Sequence, residues 1–437
     1  MADRFPSQFT LGIILLLGGL STLAVLPLIN LVAGAVDGMP IMGRIVLLTA
    51  LLFLPPSLIL SMTTSVVIRL HIKDVTRAGN LVGKLYAVST AGSIPGTFLT
   101  GFFLIQWMGT RPILLAVATG NLWRARAPAL AALVLLAGFV GVLSLGFATK
   151  SLETGCLRES NYFCITIRED TIEGHPVRIL ILDRLLHSHV AMDDPKFLVY
   201  GYEKVMADLA THLAQREPDM RTLSIGGGGH TLPRFIEESY PRSTVEVIEI
   251  DPQVTAVVFD YLGLRRDTRI VSYNKDARMA VPELEKGAYD LVVTDAFNDV
   301  SVPYHLTTQE FNEQVKALLT PDGIYMVNVV DKLHSGRFLR AYVNTLRETF
   351  PYVYLLTDDS SWDFDERYAY VVVGVQQPLS ITGVHISNVA EGRGAGTTDF
   401  MPFGRFLHWL GEAETVVLRD DFAPVDNMLA PLYLESR

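Results

Sequence analysis

The sequence predicts an α-helical transmembrane domain, then a small β-domain, then an α/β domain with a parallel sheet. Apolar segments long enough to cross a bilayer fill about the first 150 residues. The rest of the 437 residues has short apolar runs ending in glycine or acidic residues, which is typical of buried strands. We place the transmembrane domain at 1–150, the β-domain at 151–200 and the α/β domain at 201–437.

Four segments are long enough to be membrane spans, since a span takes about 20 apolar residues. They are Phe9–Val36, Ile41–Ile68, Tyr86–Met108 and Ala127–Ala148. Ile113–Leu122 is apolar but too short to cross alone, so it is either a half-helix or the start of a fifth span. We therefore predict four or five spans.

A glycine-rich turn is the most informative feature of the α/β domain. A short apolar run from Leu223 leads into Gly226–Gly229, and a helix can begin at Leu232. The next apolar run, Val245–Ile250, carries Glu249 near its end. An acid about 20 residues past such a turn can accept hydrogen bonds from ribose hydroxyls. The pattern predicts a Rossmann-like unit that binds a nucleoside.

Two further acids follow the next apolar runs. Asp276 comes after Arg269–Val271, and Asp295 ends the run Tyr289–Thr294. Because ligands bind at the carboxyl ends of strands in open α/β sheets, these acids and Glu249 should line one crevice. A carboxylate at Asp276 could accept a proton from an adenine amino group. The alternative for any one acid alone is a helix N-cap or a loop residue.

This set of residues resembles the polyamine aminopropyltransferase family, the spermidine and spermine synthases. The resemblance runs from Glu159 to Val330, and the tail Leu418–Asn427 is similar to the membrane-fused branch of the family. It implies an S-adenosylmethionine-binding type of Rossmann-like fold after a small β-domain. It also implies decarboxylated S-adenosylmethionine or S-adenosylmethionine as co-substrate, and aminopropyl transfer to putrescine or another amine with release of methylthioadenosine.

The resemblance also implies roles for individual residues. Those implied to bind the cofactor are Gly226, Gly227, Gly228, Glu249, Asp276 and Ala277. Asp295 matches the first aspartate of the family's Asp-x-x-Asp loop, which holds and deprotonates the attacking amine. Asn298 replaces the second aspartate, although Asp299 follows it, and both are candidate substrate-binding residues. Tyr200 and Tyr202 lie where the family has a Tyr-His-Glu segment and are candidate substrate contacts.

Three positions depart from the family. Gly229 stands where an aspartate binds the aminopropyl ammonium, Asn298 lacks the second carboxylate of the loop, and His187 stands in place of a glutamine. Fewer carboxylates weaken the case for a dicationic diamine, which needs compensating charge when it leaves water.

Other functions therefore stay open. A lyase or cyclase could act on the same sulfonium without a second substrate, with Asp295 or His187 as its base. A non-catalytic nucleotide sensor coupled to the membrane would also explain the lost carboxylates. Methyl transfer is less favoured, because the Asp295 loop would have no obvious duty in it.

Charge and residue usage limit the classes of ligand and partner that we expect this chain to bind. The net charge of −10 disfavours nucleic acid and suits a cationic ligand. We expect no metal, since His187 and His189 fit no zinc pattern. Cys156 and Cys164 could form a disulfide, but we favour two unrelated small residues. Membrane lipid and a second copy in a homodimer are the expected macromolecular contacts.

Membrane orientation follows from the loops and from the cofactor. The basic loop Arg69–Lys84 favours a cytoplasmic position, and four spans then put both termini inside. Arg111, Arg124 and Arg126 would fall outside, which counts against four spans. A fifth span would put the α/β domain outside, where adenosyl cofactors are not normally supplied. We expect an integral protein of the inner membrane with a cytoplasmic α/β domain.

Overall fold

The chain forms two compact units in a computed structural model, Met1–Tyr162 and Phe163–Arg437. The structure describes residues 7–33, 36, 39–71, 78–124, 129–148, 155–296, 302–358, 362–379, 386–387 and 397–434. Each unit is considered by itself.

The first unit is helical. Its helices are α1 (Gln8–Ala33), α2 (Ile41–His71), α3 (Ala78–Leu99), α4 (Ile105–Met108), α5 (Thr110–Arg124) and α6 (Ala129–Ala148), and a two-residue strand, β1 (Arg158–Glu159), follows. A π-helical turn, Thr100–Leu104, joins α3 to α4. Among the described residues, three helical stretches are long and apolar enough to cross a membrane: Gln8–Val32, Met42–His71 and Gly79–Leu104.

Helix α1 is the centre of this unit and packs against α2, α5 and α6. Leu23 and Leu26 of α1 are buried with Ala118 of α5. Gly18 permits a close approach to α2, since a Cβ there would lie 2.4 Å from the Leu60 side chain. The first three predicted spans fall on α1, α2 and α3–α4, whereas the fourth falls on α6, which is not among the three span-length stretches of the described residues. The short apolar segment falls on α5, whose 15 residues extend only about 22 Å.

The second unit begins with an antiparallel meander of β2 (Cys164–Ile172), β3 (His175–Leu182) and β4 (Leu185–Ala191). Leu180 pairs with Ser188 and Ile181 with Leu186, so His187 is the extra residue of a β-bulge. Both cysteines of the chain are disulfide-bonded. The expectation of two unrelated small residues is therefore wrong, because a spacing in sequence does not fix how two side chains meet in space.

A nine-stranded sheet forms the body of the second unit. Its strands are β5 (Arg221–Ile225), β6 (Thr244–Glu249), β7 (Val271–Asn274), β8 (Tyr289–Thr294), β9 (Leu319–Asp331), β10 (Tyr352–Thr357), β11 (Tyr368–Val375), β12 (Ile386–Ser387) and β13 (Thr397–Phe400). The order is β12-β13-β10-β11-β9-β8-β5-β6-β7. Strands β5 to β9 are parallel, and β10 and β11 form an antiparallel pair.

Helices cover both faces of this sheet. They are α7 (Gly201–Arg216), α8 (Thr231–Ser239), α9 (Pro252–Tyr261), α10 (Ala277–Ala280), α11 (Gln309–Leu318), α12 (Phe338–Thr349), α13 (Phe403–Gly411) and α14 (Val425–Leu434). Successive strand residues alternate between two cores: Leu291 and Val293 join one, and Val292 joins the other. This confirms the predicted Rossmann-like fold. The strand order reverses between β5 and β8, where a crevice opens at the strands' carboxyl ends.

Candidate functional site

The glycine turn and the end of β8 meet at the reversal point of the sheet. The Gly226 amide donates to the Ile248 carbonyl at 2.9 Å, and the Asp295 amide donates to the Ile225 carbonyl at 2.8 Å. Gly226 has φ +93°, and a Cβ there would lie 2.1 Å from the Asp295 carbonyl oxygen. Only glycine fits this backbone approach. The turn and Asp295 therefore hold a fixed mutual position.

Glu249 lies under the glycine turn with 7% of its surface exposed. Its Oε2 accepts hydrogen bonds from the Gly227 amide at 2.9 Å and the Gly228 amide at 3.2 Å, and its Oε1 accepts from the Asp251 amide at 2.9 Å. Burial raises the pKa of Glu249, although these amides oppose the shift. A carboxylate offers about four acceptor positions, so capacity remains for ribose hydroxyls.

Asp276 caps the short helix α10, where its Oδ1 accepts the Arg278 amide at 2.8 Å. Its other oxygen lies 3.7 Å from His305 Nε2, and Ala277 behind it is buried. The tail reaches this corner as well, because Asp420 accepts hydrogen bonds from Arg278 and from the Thr308 hydroxyl. Asp276 is thus a helix N-cap, as the alternative interpretation held, while keeping its second oxygen at the edge of the crevice.

Asp295 is held by two side chains at the end of β8. The Tyr202 hydroxyl donates to Oδ2 at 2.9 Å, and Asn328 Nδ2 donates to Oδ1 at 2.9 Å. Burial raises the pKa of Asp295, and the hydrogen bonds from Asn328 and Tyr202 offset part of that rise. A carboxyl group with fixed orientation and raised pKa is suited to accept a proton from a bound ligand.

Aromatic rings lie beside Asp295, and a second carboxylate lies at the start of α7. Tyr200 stacks on Tyr202 with 5.5 Å between ring centroids, and its hydroxyl donates to the Leu186 carbonyl. At the end of β10, Asp358 accepts the Tyr368 hydroxyl at 2.7 Å. A Cβ on Gly201, the first residue of α7, would lie 1.8 Å from Asp358 Oδ2. The turn after β10 therefore brings a carboxylate directly against the N-terminus of α7.

Glu203 is a buried acid that the sequence analysis did not identify. It is 3% exposed, and its Oε1 accepts the hydroxyl of Thr231, the first residue of α8 after the glycine turn. Within the described part of the chain, Oε2 has no hydrogen-bond partner. Burial raises the pKa of Glu203 to about 8, helped by the negative charge of Asp295 and opposed by the Thr231 hydrogen bond. Its one sequence signal was its place in the segment that resembles Tyr-His-Glu.

His187 lies in the β-domain, where its ring packs against Phe163 with 6.2 Å between centroids. Burial lowers the pKa of His187 to about 4, and nearby Asp183 opposes the shift. Its Nε2 is buried and has no hydrogen-bond partner within the described residues. The imidazole is therefore neutral at pH 7 and a weak base.

Two candidate residues, Asn298 and Asp299, lie outside the described residues. In the part that is described, no three His, Cys, Asp or Glu side chains cluster closely enough to hold a metal ion. The crevice instead combines backbone amides, tyrosine hydroxyls and carboxyl groups, which suits a polar, cationic organic ligand.

Comparisons with known proteins show which sequences this chain is similar to. Residues 200–357 match the spermine/spermidine synthase domain. The polyamine aminopropyltransferase of Vibrio vulnificus is 33% identical over 137 residues, covering 31% of this chain and 46% of the relative. The human eEF1A lysine and N-terminal methyltransferase is 28% identical over 154 residues, covering 31% of this chain and 22% of the relative. This chain thus spans less than half the length of either relative.

A probable spermidine synthase from Corynebacterium glutamicum shares the fold of the second unit. Its crystal structure superposes with a TM-score of 0.51 at 20% identity, covering 58% of this chain and 93% of that one. At this identity the likeness concerns the fold alone.

Replacing Gly226 by alanine tests the close approach of the turn to Asp295. We expect Gly226→Ala to abolish nucleoside binding and to lower stability by more than about 3 kcal/mol, because strain and a backbone clash add. Gly174→Ala is the control: Gly174 also has a positive φ, of +88°, but a Cβ there meets nothing within 4 Å. It should cost about 1 kcal/mol and leave binding intact. Equal losses in the two variants would contradict the proposed crowding.

The raised pKa of Glu203 predicts a pH-dependent stability. From about pH 4.5 to about pH 8 the folded chain keeps a proton that the unfolded chain has lost, so ionisation of Glu203 opposes folding as pH rises. Glu203→Gln should therefore gain stability over the wild type by up to about 1.4 kcal/mol per pH unit, levelling off above pH 8. Thermal unfolding of the detergent-purified chain from pH 5 to 9 measures this. Glu238→Gln, exposed on α8, should show no such trend.

Proposed function

We propose that this chain is a membrane-anchored aminopropyltransferase, because residues 200–357 match the spermine/spermidine synthase domain and resemble polyamine aminopropyltransferases. It binds decarboxylated S-adenosylmethionine, transfers the aminopropyl group to an amine and releases methylthioadenosine. The single observation that carries this proposal is Asp295, a buried carboxyl group oriented by Tyr202 and Asn328 beside the glycine turn.

The reaction needs a base because an ammonium has no lone pair with which to attack. Asp295 accepts one proton from the acceptor ammonium. The amine nitrogen then forms a bond to the aminopropyl carbon next to sulfur, and the carbon–sulfur bond breaks. Its electron pair stays on sulfur, which turns the sulfonium into a neutral thioether. A buried base is suited to this step, since desolvation raises its proton affinity.

The cofactor is held by the turn and by the acids at the neighbouring strand ends. We assign the ribose hydroxyls to Glu249, whose carboxylate lies against the amides of Gly227 and Gly228. Asp276 is assigned to the adenine amino group, and Ala277 lies behind it. Gly226 allows the backbone approach that brings the sulfonium near Asp295.

The acceptor is a diamine such as putrescine. Tyr200 and Tyr202 supply an aromatic surface, and Asp358 supplies a carboxylate at the start of α7. Cation–π and ionic contacts of this kind suit an alkyl ammonium. Asn298 and Asp299, which follow Asp295 in the sequence, are further proposed contacts of the acceptor. Asp358, which lies against Gly201 between the two tyrosines, supports the binding of a second ammonium.

Product analysis tests this proposal. The detergent-purified chain is incubated with decarboxylated S-adenosylmethionine or with S-adenosylmethionine, with and without putrescine, and the products are followed by mass spectrometry. We expect methylthioadenosine and an aminopropylated amine only when the decarboxylated cofactor and the amine are both present. Methylthioadenosine without an amine would establish a lyase or cyclase, and a methylated product would establish methyl transfer. Binding without any product would establish a sensor.

Asp295→Asn tests the base. The amide keeps its shape and its contact with Asn328 or Tyr202, but it cannot accept the proton, so turnover should fall about 10²- to 10⁴-fold. Asp331→Asn is the control, because Asp331 is also a buried acid at a strand end, and within the described residues it accepts backbone amides such as that of Leu339. Near-normal turnover in Asp295→Asn would show that another group is the base.

We also propose that the helical unit anchors the chain in the lipid of the inner membrane as a homodimer, with the α/β unit in the cytoplasm where the cofactor is made. Disulfides are rare in that compartment, so this placement and the disulfide-bonded state of Cys156 and Cys164 make opposite predictions for growing cells: reduced thiols inside and a disulfide outside. Acid quenching followed by alkylation and mass spectrometry of the peptides reports their state. A disulfide in quenched cells would place the α/β unit on the outer face instead.

A further inference from the structure

The glycine turn of this chain has no room for the carboxylate that its family uses there. A Cβ on Gly229 would lie 2.6 Å from Val190 Cγ2 and 2.7 Å from Ser188 Cβ. The Gly229 amide also donates to the Ser188 hydroxyl at 2.9 Å. Strand β4 therefore fills the space that an aspartate side chain would need. If the site binds an aminopropyl ammonium, its counter-charge must come from another element.

Glu203 lies where that counter-charge is needed. Its hydrogen bond to Thr231 places it at the end of the glycine turn, and its charge interacts with that of Asp295 on the other side. It therefore lies near both the end of the glycine turn and Asp295. The carboxyl group is 3% exposed and directs one oxygen, Oε2, at no donor within the described residues.

A buried acceptor without a donor costs stability, and such groups in native proteins call for an explanation. Helix capping explains only part of the burial of the Glu203 carboxyl group. Glu203 is the third residue of α7 and interacts with the Tyr200 backbone amide, as a capping glutamate does. The Thr231 hydroxyl accounts for Oε1, whereas a ligand ammonium would satisfy Oε2.

We propose that Glu203 binds the ammonium of the cofactor's side chain and thereby makes the site select decarboxylated S-adenosylmethionine over S-adenosylmethionine. The two cofactors differ by one carboxylate next to that ammonium. A carboxyl group at Glu203, with Asp295 nearby, attracts the ammonium and repels the additional carboxylate. This inference rests on the proposed function, because it assumes that the crevice binds an adenosyl sulfonium.

The test is a ratio of affinities, which does not depend on turnover. Titration calorimetry of both cofactors into the full chain in detergent gives the preference of the wild type. We expect Glu203→Gln to bind decarboxylated S-adenosylmethionine about ten- to hundredfold more weakly, and S-adenosylmethionine as well as or better than the wild type. The amide retains the acceptor that caps α7 and meets Thr231, so a purely structural role would leave the ratio unchanged.

Asp208→Asn is the matched control. Asp208 is buried on the same helix, but it accepts the hydroxyl of Thr398 on β13 rather than one at the glycine turn. It should leave the ratio of affinities as it is in the wild type. Glu203→Asp, which keeps the charge, should retain a preference for the decarboxylated form.

The outcomes separate this inference from the proposed function. A wild-type chain that binds both cofactors equally, or a ratio unchanged in Glu203→Gln, overturns the role of Glu203 and leaves Asp295 as the base. A wild-type chain that binds neither cofactor overturns both. A preference for decarboxylated S-adenosylmethionine that is lost in Glu203→Gln but kept in Asp208→Asn supports the inference.

Discussion

The site depends on the cost of removing carboxyl groups from water. Asp295, Glu203 and Glu249 are acids with raised pKa values at the carboxyl end of the sheet, and burial is the largest cause in each case. Glu249 is compensated by three backbone amides, and Asp295 by two side-chain donors. Glu203 is compensated least. A cation that enters this crevice relieves the cost, so the fold carries an electrostatic preference before any ligand arrives.

Close backbone contacts place these acids. A side chain at Gly226 would clash with the Asp295 carbonyl, one at Gly201 with the Asp358 carboxylate, and one at Gly229 with β4. Each glycine lets one element approach another: β5 and β8, the β10 turn and α7, the glycine turn and β4. The absence of a side chain at these glycines therefore allows the elements that carry the acids to approach one another. Binding sites commonly retain buried acids such as Glu203 that lower the stability of the fold.

The sequence predicted the fold and the part of the site that lies on consecutive strand ends. Gly226, Glu249 and Asp295 were identifiable because each follows a short apolar run, and parallel strands present their carboxyl ends at one edge. Glu203 was missed because it lies within a helix, where a lone acid is usually exposed. Asp358 follows β10, and only the antiparallel pairing of β10 with β11 shows where that strand ends in space. His187 was a candidate base, but its bulge and burial depend on pairing with β3 that no local pattern reveals.

The most direct measurement of this account counts the protons released when the cofactor binds. Calorimetry of decarboxylated S-adenosylmethionine binding at pH 7, in buffers of different ionisation enthalpy, gives that number. With a pKa of about 8, Glu203 is mostly protonated in the empty site at this pH and ionises when the ammonium arrives. His187, with its pKa lowered to about 4, is neutral in both states. We predict release of about one proton in the wild type and a clear reduction in Glu203→Gln. Binding with no proton release in the wild type would contradict the account.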